Sequence, residues 1–363
     1  MQPSAQIPVW TIAAPLLAAA VLGAAALGVA HGALIVGLIA IGLAGSVFAA
    51  VHHAEVVAHR AGEPYGTLVL AFAVTLIEVA LIVSLMAAGG PQASGLARDT
   101  VFAAVMIILT GIIGVCLVVG GIMHREQSFR LDGVSAALVA LGTIVILTLV
   151  FPNYTLTTPG PYYSPSQLAL IAAVTLVVYG AFLFTQTIAH RPFFLDEDAD
   201  ADTPAPHAVR PSNGVTAICS ALLLVSLVTV VLLAKKLAPS LEAAVLRLGA
   251  PNALVGVIIA AIVLLPEGLA ALGAARSNRL QASLNLALGS ALASIGLTIP
   301  AVSIFSLLMH TELRLGLDSK SSLLLMLSLF VLTVALRTGR AILLHGVVLL
   351  VVFVVYLFTT VVP

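Results

Sequence analysis

The sequence predicts an all-α polytopic membrane protein with about eleven transmembrane helices, in which a five-plus-five inverted-repeat core follows one extra N-terminal helix. Two observations carry this prediction. Of the residues, 61% are hydrophobic and only 8% are charged, whereas a soluble domain has about 25% charged residues. Apolar runs long enough to span a bilayer also recur along the whole chain. We therefore expect the lipid bilayer to be its main partner.

Composition and the absence of certain motifs argue against nucleic-acid binding, a zinc site and enzymatic activity. The 15 basic and 15 acidic residues give a formal net charge of zero, so no basic surface for nucleic acid is expected. Cys116 and Cys219 lie in separate apolar runs, which argues against a disulfide or a zinc site. The sequence contains neither a Walker motif nor an H-E-x-x-H motif, so we expect no enzyme and no resident cofactor.

The apolar runs define the predicted helices. Spanning takes about 20 residues, because the hydrocarbon layer is about 30 Å thick and a helix rises about 1.5 Å per residue. In lipid each run must satisfy its own backbone hydrogen bonds, so it is helical. The runs occupy residues 10–30, 32–57, 66–89, 101–123, 132–151, 167–189, 214–236, 252–275, 285–309, 321–337 and 341–361.

The segment order predicts the domain organisation. Residues 1–31 form the extra helix, 32–189 the first repeat, 190–213 a connector and 214–363 the second repeat. Equivalent segments are five apart, an odd number, so the second repeat is inverted relative to the first. Basic residues favour a cytoplasmic N-terminus and an outside C-terminus. The loops then assigned to the cytoplasm hold Arg60, Arg125, Arg130, Arg191, Arg210, Arg276, Arg279, Arg337 and Arg340, and the opposite loops hold Arg98, Lys235, Lys236, Arg247, Arg314 and Lys320.

Two glutamates are the most unusual residues of the chain. Glu78 is the only charged residue between Glu63 and Arg98, and Glu267 is the only one between Arg247 and Arg276. A carboxylate at membrane depth costs at least several kcal/mol unless it is protonated, paired or cation-bound. Because the two lie in equivalent segments of opposite direction, we expect them to share one ion site near the midplane.

Polar and small residues in and after these segments complete the predicted site. Pro266 removes a backbone donor beside Glu267 and is expected to break or kink its helix. Ser290, Ser294 and Thr298 recur every four residues and so share one helix face. The further candidates are Thr75, Thr110 and Asn285 as polar ligands, and Gly111 and Gly289 as sites of close backbone approach.

The ligand chemistry predicts a hard cation. Ca²⁺ takes about 6 to 8 oxygen ligands, and these segments supply carboxylate, amide, hydroxyl and carbonyl oxygens but no sulfur or imidazole. A buried carboxylate that lacks a cation tends to hold a proton, so proton and cation compete for the same oxygens. Glu78 and Glu267 are thus the predicted metal ligands, and the metal is cargo.

The connector carries an acidic cluster with two possible roles. It is either a solvated hinge or a collector of divalent cations. Its acidic residues are Asp196, Glu197, Asp198, Asp200 and Asp202.

Two stretches carry a resemblance to a known family: HHAEVVAHRAGEPYGTLVLAFAVTLIEVALIVSLM around Glu78, and LLPEGLAALGAARSNRLQASLNLALGSALASIGLTIP around Glu267. They resemble the calcium/cation antiporter superfamily, in its bacterial calcium/proton exchanger (ChaA-like) branch. This resemblance implies a ten-helix inverted-repeat core, an acidic cytoplasmic connector, and a location in the bacterial inner membrane. It also implies cation and proton binding by Glu78 and Glu267, with Asn285, Gly289, Ser290 and Ser294 beside them.

The functional hypothesis is secondary antiport that exports Ca²⁺ in exchange for protons. A Na⁺ or K⁺/proton exchanger on the same scaffold is the first alternative. A cation channel lined by acidic residues is the alternative from another class, although channels usually build such linings as rings from several subunits.

Overall fold

Helices account for nearly all of the structure, a computed structural model that describes residues 7–26, 33–62, 65–89, 94–195, 211–247, 249, 251 and 253–362. The helices are α1 Val9–Ala26, α2 Ala33–Ala61, α3 Tyr65–Gly89, α4 Leu96–Met106, α5 Ile113–His124, α6 Leu131–Val145, α7 Pro165–Phe184, α8 Asn213–Arg247, α9 Ala253–Arg276, α10 Leu280–Met309, α11 Ser319–Leu336 and α12 Leu343–Val361. The strands are β1 Glu126–Ser128 and β2 Arg340–Ile342.

A π-helical turn, Ile107–Ile112, joins α4 and α5 into one continuous helix, so the described residues contain eleven helices, as predicted. Nine of these are long and apolar enough to cross a membrane, and α1 and α3 contain the shorter apolar runs Val9–Ala25 and Ala71–Ala87. The prediction of an all-α polytopic membrane protein is therefore confirmed.

In the described residues, helix bounds agree with the apolar runs to within six residues, except in α8. This helix continues to Arg247, well past the predicted end at residue 236, and it contains Pro239. Its extension, LAPSLEAAVLR, is rich in Ala and Leu, which favour helix. The apolar length that lipid requires sets a minimum for a helix but does not define where the helix ends.

By contacts between residues the chain forms two compact units. The first unit comprises Met1–Ala88 and Asp202–Gly249, and the second comprises Gly89–Ala201 and Ala250–Pro363. In the first unit, α2 packs against α1 and α8. Gly42 permits the close approach of α1, since an added Cβ would lie 3.2 Å from the Cβ of Ala18. The buried His53 of α2 donates a hydrogen bond from Nε2 to the carbonyl oxygen of Thr11 in α1 at 3.1 Å.

In the second unit, each of the following helix contacts has a counterpart between the equivalent helices of the other repeat. The predicted repeats make α4–α5 equivalent to α10, α6 to α11, and α7 to α12. Accordingly, α5 packs on α12 as α10 packs on α7, and α6 contacts α7 as α11 contacts α12. The helix contacts of the second unit therefore show the correspondence between halves that is expected of the predicted inverted repeat.

Connections at the two ends of this unit follow the same symmetry. At one end β1 pairs antiparallel with β2, in the register Gln127 to Ala341. At the other end an antiparallel bridge joins Tyr162 to Arg314. In the predicted repeats the α5–α6 connection is equivalent to the α10–α11 connection. The α11–α12 connection is likewise equivalent to the α6–α7 connection. A short backbone pairing therefore closes each end of the unit.

Glycines allow a close contact between α5 and α12 in this unit. At Gly346 of α12 an added Cβ would lie 2.6 Å from the backbone nitrogen of Val118 and 2.7 Å from the carbonyl oxygen of Gly114. At Gly111 it would lie 3.2 Å from the ring of Phe353. Only small residues let helix backbones approach this closely, so these glycines set the position of α12 against α5.

Candidate functional site

Glu267 lies near the middle of α9, within the second unit. Both carboxylate oxygens are shielded from solvent, although the residue as a whole is partly exposed. The preceding Pro266 is buried. The sequence predicts that Pro266 breaks or kinks its helix, and of these two the break is wrong, because α9 is helical from Ala253 to Arg276 without interruption. Neighbouring helices and side chains can satisfy the backbone groups that a proline frees in a spanning helix, so the helix continues.

Glu78 lies on α3 of the first unit, and its side chain is 5% exposed. Thr75, one helical turn earlier, shares the same face and is 3% exposed. Its hydroxyl donates to the carbonyl oxygen of Ala71 at 2.9 Å, which leaves the lone pairs of its oxygen available to a cation. Ile77 and Leu81 of the same helix are also buried.

Thr110 and Gly111 lie within the π-helical turn between α4 and α5, a feature that sequence reasoning missed. The turn contacts α9, α10, α11 and α12 and so lies at the centre of the second unit. Thr110 is fully buried, and its hydroxyl donates to the carbonyl oxygen of Met106 at 2.6 Å. A π-turn disturbs the regular backbone hydrogen bonding of a helix, and such turns occur frequently at functional sites.

The helix that bears Glu267 packs directly on this turn. Gly268, the next residue, provides the contact, because an added Cβ there would lie 3.2 Å from Cδ1 of Ile112. The α9 helix also packs against α4 and α10. The fold thus brings the helix of Glu267, the turn of Thr110 and the polar helix α10 together in one unit.

The polar face predicted on α10 is largely buried. Ser294 is 2% exposed, Thr298 is fully buried, and Ser290 is partly buried. No described protein atom hydrogen-bonds to the hydroxyl oxygen of Thr298. The prediction of a close backbone approach at Gly289 is wrong, because an added Cβ there would meet no atom within 4 Å.

Asn285 takes part in a hydrogen-bond network that the sequence did not reveal. Its Nδ2 donates to the carbonyl oxygen of Phe194 at 2.5 Å, and its Oδ1 accepts from Gln281 Nε2 at 2.9 Å. Gln281 Oε1 in turn accepts from the backbone N–H of Arg130 at 2.7 Å. The structure therefore gives Asn285 protein partners at both ends of its amide.

The acidic connector residues Asp196, Glu197, Asp198, Asp200 and Asp202 lie outside the described residues. Within the part of the chain that is described, no group of three or more His, Cys, Asp and Glu side chains could hold a metal ion. A cation bound through either glutamate would therefore need hydroxyl, amide or backbone carbonyl oxygens to complete its shell.

Comparisons with known proteins agree with this architecture. The family model described as sodium/calcium exchanger protein matches residues 31–188 and 219–362, which is most of the chain. The chain is 50% identical over 321 residues to a putative ionic transporter, y4hA, of Sinorhizobium fredii, covering 88% of this chain and 87% of that protein. It is 37% identical over 318 residues to the sodium-potassium/proton antiporter ChaA of Escherichia coli, covering 87% and 86% respectively.

Solved structures share the fold at low sequence identity. The native structure of YfkE superposes with a TM-score of 0.71 at 17% identity, covering 96% of this chain and 99% of that one. The H⁺/Ca²⁺ exchanger CAX gives the same TM-score and identity, covering 96% and 87%. With a family match over most of its length and a ChaA relative above one third identity, the chain belongs to the sodium/calcium exchanger protein family of the calcium/cation antiporter superfamily.

Proposed function

We propose that the chain is a secondary active cation/proton antiporter that exports Ca²⁺ in exchange for protons, with Glu78 and Glu267 as the groups that bind both. The observation that carries the proposal is the burial of a carboxylate on each of two apolar helices: Glu78 is 5% exposed, and both oxygens of Glu267 are shielded. A proton, a cation or a protein partner must offset the lost hydration of a carboxylate so buried, and of these the proton and the cation can exchange for one another.

Competition for these oxygens explains how two fluxes are coupled. A cation or protons neutralise the carboxylates of a loaded site, whereas an empty ionised site keeps negative charge in a poorly hydrated environment. Reorientation of the loaded forms is therefore favoured over that of the empty form. Alternating access with this restriction exchanges one ion for the other without ATP.

Hydroxyl groups are proposed to add oxygen ligands to each glutamate within its own unit. In the unit of Glu267 these are Thr110 of the π-turn and Ser290 and Ser294 of α10, and in the unit of Glu78 the group is Thr75. Their neutral oxygens suit a hard cation. Gly111 and Pro266 are proposed to shape the backbone beside them. We further propose that no resident cofactor is needed.

Exchange of Na⁺ or K⁺ for protons is the second candidate. It is favoured by the 37% identity to the sodium-potassium/proton antiporter ChaA, whereas the Ca²⁺/H⁺ antiporter of Aphanothece halophytica is 24% identical over 282 residues. The same carboxylates would serve, and the number and spacing of the neutral oxygens would then select the ion.

The purified chain reconstituted in liposomes tests both candidates. With an imposed pH gradient and a pH-sensitive dye inside, addition of Ca²⁺, Na⁺ or K⁺ in separate runs should move protons against the added cation. We expect Ca²⁺ to give the largest response at low concentration. A response to Na⁺ or K⁺ alone would favour the second candidate, and cation flux without coupled protons would indicate a channel and contradict both.

Neutral variants test the proposed ligands. Glu78→Gln and Glu267→Gln should each reduce cation-driven proton movement to the level of empty liposomes, because an amide cannot exchange a proton for a cation. The matched control is Glu312→Gln, since Glu312 is exposed in the connection between α10 and α11. Near-normal exchange in either buried variant would contradict the assignment, provided that the protein inserts and elutes as the unmodified chain does.

A further inference from the structure

A polar cavity of about 560 Å³ opens where β1 and β2 close one end of the second unit. It is lined by residues 128–132, which lead into α6, and by residues 338–340, which connect α11 to β2. Cavities that bind small molecules usually measure about 300 to 1,000 Å³. The cavity is therefore large enough to hold a polar group of several heavy atoms.

Backbone hydrogen bonds hold the walls of this cavity in place. The N–H of Phe129 donates to the carbonyl oxygen of Gly339 at 2.9 Å, beside the paired strands. Thr338 donates from its hydroxyl to the carbonyl oxygen of Arg340 at 3.1 Å. The N–H of Arg130 is bound by Gln281. The cavity is thus preformed, and little ordering of the chain would oppose binding.

The lining includes two arginines, Arg130 and Arg340, and one acidic residue, Asp132. The Arg340 guanidinium contacts Glu126 at 2.9 Å, yet its side chain remains 70% exposed and keeps donors available. The Arg130 guanidinium carbon lies 6.0 Å from the centre of the Phe193 ring. A planar guanidinium recognises phosphate through paired hydrogen bonds, so an anion such as a phosphate group suits this cavity.

A second, mainly apolar groove of about 270 Å³ adjoins the first cavity at Leu131, which lines both. Its walls come from α6 and α11, two helices in the spanning set, and they include Leu138, Val139 and Leu336. Arg337 lines the groove and is adjacent in sequence to Thr338 of the polar cavity. The polar space therefore continues into an apolar one along membrane-spanning helices.

We propose that the polar cavity and the adjoining groove together bind one anionic phospholipid, with the phosphate between Arg130 and Arg340 and an acyl chain along α6 and α11. Basic pockets between spanning helices are a recurrent way to hold anionic lipid headgroups. A soluble phosphate would use only the polar cavity. A phospholipid would occupy both the polar cavity and the apolar groove. Bound between α6 and the α11–α12 connection, it would stabilise the end of the unit where β1 pairs with β2.

Lipid titration of the detergent-solubilised full-length protein tests this proposal. Phosphatidylglycerol should raise the midpoint of thermal unfolding, since a ligand that binds only the folded state stabilises it. Phosphatidylcholine and inorganic phosphate should each give a much smaller shift. Native mass spectrometry should detect one tightly retained phosphatidylglycerol per chain. An equal shift with phosphatidylcholine, or the full shift with inorganic phosphate alone, would overturn the proposal.

Variants separate the headgroup from the acyl chain. Arg130→Gln and Arg340→Gln should each weaken phosphatidylglycerol binding about fivefold, the typical effect of one basic residue on an anionic lipid. Ser135→Trp, which fills the groove, should weaken binding without removing charge. The matched control is Arg125→Gln, an exposed arginine at the same end that lines neither space. Equal losses in the control and the two arginine variants would indicate general charge attraction and contradict the site.

Discussion

Asn285 of α10 donates a hydrogen bond from Nδ2 to the main-chain carbonyl oxygen of Phe194 at 2.5 Å, and so connects the helix to the first residues of the connector. Gln281, one turn earlier, supports Asn285 from the other side of the amide. The network reaches the start of α6 through the backbone of Arg130. Three separate parts of the second unit are thus joined through two amide side chains.

This network predicts a structural contribution from Asn285. We expect Asn285→Ala and Gln281→Ala each to destabilise the fold by about 1 to 3 kcal/mol, because each leaves a largely buried polar group without its partner. Their combined effect should be less than the sum, since they share one network. Thermal unfolding of the purified variants measures both effects.

Ser290→Ala is the matched control on the same helix. We expect it to lower the affinity for the cation and to leave the midpoint of thermal unfolding unchanged within error. If Asn285→Ala abolished exchange without any loss of stability, Asn285 would be a cation ligand rather than a structural contact.

Close contact between α5 and α12 predicts that Gly346 tolerates no larger residue. Gly346→Ala should destabilise the protein by about 3 kcal/mol, because its methyl group would meet two backbone atoms that cannot move aside. Gly142→Ala is the control, since an added Cβ at Gly142 of α6 meets nothing within 4 Å. It should be neutral or stabilising by up to about 1 kcal/mol. Similar melting curves for the two variants would contradict the packing described for α12.

Shared binding of protons and cations predicts a specific pH dependence. When the pH falls on the side from which the cation binds, the apparent KM for the cation should rise by about tenfold per pH unit for each competing proton. The rate at saturating cation should stay nearly constant. Initial rates measured over a range of cation concentrations at several pH values test this. A falling maximal rate with a constant KM would place the proton at a different site from the cation.

The distribution of basic residues predicts a cytoplasmic N-terminus and an outside C-terminus. Alkaline phosphatase is active only outside the cytoplasm, so a fusion after Val362 should be active and one after Leu195 inactive. A cytoplasmic reporter on the same two fusions should give the reverse pattern. The same phosphatase activity at both positions would contradict the eleven-segment topology.

Much of the fold follows from the sequence, because lipid imposes simple requirements. Backbone groups must be satisfied within each segment and the segment must span the hydrocarbon layer, so apolar length alone locates the helices. The same requirements make Glu78 and Glu267 conspicuous, since no other acidic or basic residue lies in their segments. The odd spacing of those segments predicts the inverted repeat.

Tertiary structure decided the remaining features. The π-turn at Thr110 has no distinct signal in the sequence, because its i to i+5 bonding depends on the helices packed around it. The partners of Asn285 and the pairing of β1 with β2 involve residues far apart in the chain. Such contacts depend on which helices become neighbours. The local apolar pattern determines that each segment is a membrane-spanning helix. Complementary side-chain shape and hydrogen bonding between distant segments determine which other helices it packs against.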